Sequence, residues 1–111
     1  MTASLGSRQY AIIALTLVTA VIHLILGFMS DAPFNILFIL NGVGYIVLLV
    51  GLYFVPQLAD KRSLVRYALM LFTAVTLILY FVFNWPDVMS PMGLLDKAVE
   101  LVLIILLWMD R

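Results

Sequence analysis

Three long stretches without a charged residue constrain what this chain can fold into. The stretch between Arg8 and Asp31 contains 22 residues. The next, between Asp31 and Asp60, contains 28. A third stretch of 20 residues separates Arg66 from Asp87. A helix that crosses a lipid bilayer needs about 20 mostly apolar residues, so each stretch predicts a membrane-spanning helix.

A fourth apolar run is too short to span a membrane alone. It covers the nine residues 101–109, and Asp96, Lys97 and Glu100 come just before it. A fourth span therefore requires these three charges to enter the bilayer with the helix. Proline marks several boundaries, and Ser90-Pro91 has the pattern of an N-cap followed by proline at the first helical position. We predict one membrane domain, residues 1–111, with an all-α bundle of four spans over 9–29, 34–55, 66–85 and 91–109.

The composition excludes several classes of protein. Of the 111 residues, 66% are hydrophobic and 11% are charged, against about 45–50% and about 25% in soluble domains. A soluble enzyme and a disordered chain are both excluded. The formal net charge is zero, which gives no basic surface for nucleic acid. The chain has no cysteine, so thiol chemistry, disulfides and Cys-based metal sites are excluded as well.

Positive charge predicts how the bundle sits in the membrane. Arg8, the link with Lys61, Arg62 and Arg66, and the C-terminal Arg111 all fall on one side of a four-span chain. Because short cytoplasmic loops are enriched in Lys and Arg, both termini are predicted to face the cytoplasm. The compact chain suits a multi-pass protein of a prokaryotic inner membrane. Aromatic residues of the kind found at membrane interfaces lie near the predicted ends of the spans: Tyr10, Tyr53, Tyr67, Trp85 and Trp108.

A weak internal repeat relates the two halves of the chain. Residues 14–21 and 68–75 are identical at six of eight positions. This pattern predicts two repeated helical hairpins in the same orientation. Chance similarity is the alternative, since Leu, Val, Ala and Thr are common in every span.

The strongly polar side chains within the predicted spans all fall in the outer half of the bilayer. By helix rise, His23 lies about 9 Å and Glu100 about 13 Å below the outer surface. The inner half is predicted to be almost entirely hydrocarbon. The candidate ligand- or proton-binding residues are His23, Asn41, Tyr45, Tyr80, Asn84, Asp96, Lys97 and Glu100.

Helical phase places these polar residues on one stripe of each helix. The stripes read Thr16/Ala20/His23/Gly27, Asn41/Gly44/Tyr45/Leu48, Thr73/Thr76/Tyr80/Asn84 and Asp96/Lys97/Glu100. Small and polar residues lie between helices in membranes, where they permit close approach and hydrogen bonds. The expected arrangement is a bundle with a polar pocket that opens outward.

Each candidate also has a purely structural interpretation. His23 and Asn41 could serve only as hydrogen-bonding residues between helices, and Lys97 could extend toward the outer surface. Glu100 is the hardest to explain in this way, because a charge at a helix centre costs about 2.5–3.5 kcal/mol on insertion scales. Neutralisation, or pairing with Lys97 or His23, would relieve that cost.

The sequence contains no complete catalytic motif, so we predict no enzymatic activity. His23, Asp96 and Glu100 are ligand types that suit zinc or iron, but their spacing matches no recognised motif and no metal is predicted. A bundle of this kind could hold a haem or a quinone. Ligation of a haem by two histidines would require a dimer, because His23 is the only histidine.

The length and span number are similar to those of the small multidrug-resistance transporters. Their binding glutamate lies in the first helix, whereas this first helix contains no acid, so the similarity is one of size only. The leading prediction is a non-enzymatic membrane protein: an accessory or scaffold subunit of a membrane complex, or a small ligand- or cofactor-binding bundle. The alternative is an oligomeric, proton-coupled transporter that uses Glu100 and His23. Expected partners are the lipid bilayer and other membrane subunits or further copies of the chain.

Overall fold

The structure, a computed structural model, describes residues 5–87 and 89–110. Within these residues the chain is helical and contains no strand. Its long axis measures 43 Å. The predicted all-α bundle is confirmed. The helices are α1 (Ser7–Met29), α2 (Phe34–Tyr53), α3 (Arg62–Asn84) and α4 (Pro91–Met109), and a short 3₁₀ helix (Pro56–Lys61) leads directly into α3.

Three segments are long and apolar enough to cross a membrane: Ser7–Met29, Phe34–Tyr53 and Pro56–Asn84. α4 has 19 residues and carries three charged side chains, so its composition alone does not mark it as a span. It begins as predicted, with Pro91 in the first turn and the Ser90 hydroxyl accepting a hydrogen bond from the Gly93 N–H at 3.0 Å.

The predicted start of α3 at residue 66 is wrong. α3 begins at Arg62, and Arg66 is buried inside the bundle rather than exposed in a link. Its guanidinium donates a hydrogen bond to the Leu107 carbonyl at 2.8 Å. The last carbonyls of a helix have no partner within that helix, so a long arginine from a neighbour can satisfy one. Arg111, which also supported the predicted topology, lies outside the described residues.

The same end of the bundle contains a polar cluster that the sequence did not reveal. Asp110 accepts hydrogen bonds from Tyr53, at 2.7 Å, and from Gln9, and it lies 3.8 Å from Arg8. This corrects two predictions: Tyr53 is buried rather than an interfacial aromatic, and this half of the bundle is not bare hydrocarbon. The other four predicted interfacial aromatics are exposed near helix ends.

Glycine brings α1 and α2 close together. A Cβ atom on Gly42 would lie 2.9 Å from the Ala20 carbonyl oxygen, and one on Gly27 would lie 3.2 Å from backbone atoms of α2. Small residues permit this kind of approach between membrane helices. The predicted α1 stripe is confirmed, since all four of its residues are buried. The buried face of α2 differs from the predicted stripe. It consists of Gly42, Tyr45, Leu49, Leu52 and Tyr53.

Two of the three glycines of α2 give a matched test of this packing. We expect Gly42→Ala to destabilise the protein by about 1–3 kcal/mol, as overpacking does, because the new methyl group would press on backbone. Gly51→Ala should be neutral or stabilising by up to about 1 kcal/mol, because alanine favours a helix more than glycine does and the atoms nearest to the new Cβ would lie 3.6 and 3.7 Å away. Unfolding in lipid bilayers measures both. Equal effects of the two substitutions would contradict the close α1–α2 approach.

Candidate functional site

Five of the eight candidate residues meet inside the bundle: Tyr45 of α2, and four residues of α1 and α4. His23 comes from α1, and Asp96, Lys97 and Glu100 come from one face of α4. All four are buried. The Lys97 ammonium lies between the two carboxylates, 3.3 Å from Asp96 Oδ2 and in direct contact with Glu100 Oε1. We call these four residues the ionic cluster.

Hydroxyl groups from two helices hold the far oxygens of the carboxylates. Tyr45 on α2 donates a hydrogen bond to Glu100 Oε2 at 2.6 Å. Thr19 on α1 lies 2.7 Å from Asp96 Oδ1 and 3.1 Å from Glu100 Oε2. A hydroxyl has one hydrogen to donate, and the shorter distance favours Asp96. These hydrogen bonds connect α4 to α1 and α2. They also leave one oxygen of each carboxylate directed at the Lys97 ammonium.

The orientation of His23 follows from its backbone contact. Its Nδ1 lies 2.7 Å from the Thr19 carbonyl oxygen. A carbonyl oxygen can only accept, so Nδ1 carries a hydrogen. In the neutral ring, Nε2 then presents a lone pair, and it lies 3.7 Å from Asp96 Oδ2.

A cavity of about 790 Å³ lies above the ionic cluster. Its floor includes His23, Asp96 and Lys97, and its mouth includes Asp31, between α1 and α2, and Ser90, before α4. Most of the wall is apolar and aromatic. Ligand pockets in proteins commonly measure about 300–1,000 Å³ and combine apolar walls with a few polar groups. The apolar wall is formed by Leu26, Phe34, Leu37, Phe38, Leu79, Phe83 and Met92, among others.

The remaining candidates occupy different positions around this cavity. Tyr80 lines it, with its ring 5.1 Å from the Lys97 ammonium. Asn41 also lines it and donates a hydrogen bond to the Thr76 hydroxyl at 2.9 Å. Asn84 is exposed at the mouth and donates to the Tyr80 carbonyl at 2.8 Å. The α3 stripe is therefore interior at Thr73 and Thr76, half-buried at Tyr80 and exposed at Asn84.

Two features of the site differ from the sequence expectations. Lys97 does not extend to the surface; it is buried, because two carboxylates on its own helix attract the ammonium inward. Thr19 was not among the candidates, although it contacts His23, Asp96 and Glu100. Its position four residues before His23, one helical turn away, was the available signal.

A second, shallower groove of about 440 Å³ runs between α2 and α3. It shares Asn41, Thr76 and Leu79 with the cavity. These three residues therefore separate the cavity from the outer surface of two helices that are apolar enough to lie in a membrane.

Comparisons with protein families, with curated proteins and with solved structures found no match to this chain.

Charge balance within the ionic cluster predicts a graded response to substitution. Lys97→Met leaves two buried carboxylates without their cation, so we expect a loss of about 3–5 kcal/mol of stability. The double substitution of Lys97→Met with Glu100→Gln should recover part of this loss, because one carboxylate is removed. A double-mutant cycle of unfolding free energies measures the coupling.

Lys61→Met is the matched control, because Lys61 is exposed. An effect of Lys97→Met no larger than that of the control would show that the ammonium does not stabilise the bundle.

Proposed function

We propose that this chain is a membrane-embedded helix bundle that binds a small amphipathic ligand. The observation that carries the proposal is the cavity of about 790 Å³ with an apolar wall and a buried, charged floor. An apolar wall favours a hydrophobic body, and the few polar groups at the floor favour a polar head group. Six of the candidate ligand-binding residues line this cavity: His23, Asn41, Tyr80, Asn84, Asp96 and Lys97. The other two, Tyr45 and Glu100, are fully buried and hold the floor residues in place.

The membrane orientation is part of this proposal. Arg8, Arg62 and Arg66 lie at the end of the bundle away from the cavity, where they contact Asp110 or backbone carbonyls at the ends of α2 and α4. Because positive charge marks the cytoplasmic side, the cavity opens to the opposite side of an inner membrane. α4 is the fourth span, since burial of its charges inside the bundle keeps them from lipid.

The groove between α2 and α3 supports an amphipathic ligand in particular. A molecule dissolved in the bilayer could enter the cavity from the groove if the hydrogen bond between Asn41 and Thr76 breaks. A water-soluble molecule would use the mouth near Asp31 instead. Both routes end at the same floor.

A proton-coupled transporter is the second candidate, favoured by the buried, titratable groups His23 and Glu100. Transport also needs polar groups below the ionic cluster. There the described core is mostly apolar, with Leu49, Leu69 and Leu103 buried. The hydroxyls of the buried Thr16 and Thr73 donate to carbonyls of their own helices. This arrangement favours binding over transport. Association with other membrane subunits, or with further copies of the chain, stays a prediction, as does the repeat of two hairpins.

Filling the cavity tests the proposal. We expect native mass spectrometry of the protein, extracted gently from its membrane, to show a bound small molecule on the wild-type chain. Leu26→Trp should remove it, because the larger side chain enters the cavity that Leu26 lines. Ile25→Trp is the control on the neighbouring residue, which is 52% exposed and does not line the cavity. Equal retention of the adduct by both variants would contradict binding in this cavity.

A further inference from the structure

The floor of the cavity, together with the buried Glu100 beside it, supplies the donor set of a metal site. His23, Asp96 and Glu100 each offer one ligand atom, and these atoms lie within 4.8 Å of one another. One imidazole with two carboxylates is a ligand set used for Zn²⁺ and other divalent transition metals. The inference rests on the proposed function, because it concerns the floor of the same cavity.

The lone pair on His23 is a second observation that points to a cation. His23 is 96% buried, and its Nε2 faces Asp96 Oδ2 at 3.7 Å. Two acceptor atoms that face each other repel unless a cation, a proton or a water molecule lies between them, and a metal cation is the occupant that both atoms can bind directly. This gap is longer than the distance of about 2.7–3.2 Å in a direct hydrogen bond.

The distance suits a metal ion. An ion about 2.1 Å from each of two atoms at the tetrahedral angle holds those atoms about 3.4 Å apart. Nε2 and Oδ2 need to approach by a few tenths of an ångström, and ligand atoms of the set that lie up to 4.8 Å apart must approach by more than that. The Nδ1–H bond to the Thr19 carbonyl is the kind of contact that orients metal-binding histidines. Thr19 and Tyr45 orient the two carboxylates in the same way.

The net charge of the ionic cluster indicates that the Lys97 ammonium and a divalent ion would occupy the cluster alternately. With a neutral imidazole, two carboxylates and one ammonium leave the ionic cluster with one net negative charge. Exchange of the ammonium for a divalent ion makes the net charge zero. Lys97 borders the cavity, with Tyr80 near its ammonium, so the side chain has space to move toward the mouth.

We propose that His23, Asp96 and Glu100 bind a divalent transition-metal ion such as Zn²⁺ at the floor of the cavity, in competition with the Lys97 ammonium. The cavity side of the ion then faces the proposed ligand. A head group with a lone pair, such as a carboxylate or a hydroxyl, could complete the coordination.

Titration with Co²⁺ tests this site, because its visible absorption changes when nitrogen and carboxylate ligands replace water. We expect the full chain, without an affinity tag and in lipid nanodiscs, to bind one Co²⁺ that Zn²⁺ displaces. His23→Ala and Asp96→Asn should each weaken binding by about 100-fold or abolish it. Asp31→Asn is the control, since it removes an acid at the mouth of the same cavity and should leave the affinity unchanged.

Lys97→Met gives a prediction with the opposite sign. Removal of the competing ammonium should raise the affinity for Co²⁺ by about tenfold or more, and bound Zn²⁺ should restore the thermal stability that the substitution lowers. If the Lys97→Met variant does not fold, the Lys97→Gln variant is used instead. Absence of Co²⁺ binding by both the wild-type chain and a folded Lys97 variant would overturn the proposal. Unchanged binding by His23→Ala would overturn it as well.

These results separate the metal site from the proposed ligand. A small molecule retained on the wild-type chain after treatment with a chelator, together with no Co²⁺ binding, would refute the metal and leave the ligand proposal intact. Specific Co²⁺ binding by a chain that retains no cavity-dependent adduct would refute the ligand proposal alone.

Discussion

The contact of the Lys97 ammonium with Asp96 and Glu100 is the interaction on which the rest of this structure depends. Three charges within one turn and a half make α4 unsuited to lipid, since each charge at the centre of a span costs about 2.5–3.5 kcal/mol on insertion scales. α4 therefore needs partners on its charged face. Thr19 and His23 of α1 and Tyr45 of α2 supply them, and their contacts fix how the helices cross.

The close approach of α1 and α2 follows from the same requirement. Gly27 and Gly42 bring the two backbones together, so Thr19 and Tyr45 can both reach the carboxylates on α4. Below this level the bundle is packed mainly with leucine, together with the buried Thr16 and Thr73. At its basic end, Asp110 and Arg66 connect α4 to the other helices. Above it the helices leave a cavity. The ionic cluster therefore holds α4 against α1 and α2 and also supplies the floor of the cavity.

The sequence predicted the helices well because long uncharged stretches and prolines are local signals. It also placed His23 and Glu100 in the interior, since few polar residues interrupt the spans. The start of α3 could not be found in this way. Arg66 resembles a link residue, and only its reach to a carbonyl of α4 makes it part of the core.

Contacts between helices explain the other differences. Thr19 is one of several threonines in apolar helices, and its importance depends on the crossing of α1 and α4. Lys97 had two available directions, toward the surface or toward the carboxylates, and helical phase does not choose between them. Tyr53 was assigned to the interface by its position near a helix end, whereas Asp110, distant in sequence, draws it into the bundle.

Water accessibility measured at single cysteines tests most directly whether the cavity opens outward and ends at the ionic cluster. The chain has no cysteine, so Leu26→Cys in the cavity wall, Leu103→Cys in the core and Ser63→Cys near the basic end can each be labelled alone. In sealed vesicles with the outer face exposed, an impermeant thiol reagent should modify the cysteine at position 26 and not those at 63 and 103. Labelling at 63 with protection at 26 would reverse the orientation, and labelling at 103 would show that water passes the cluster.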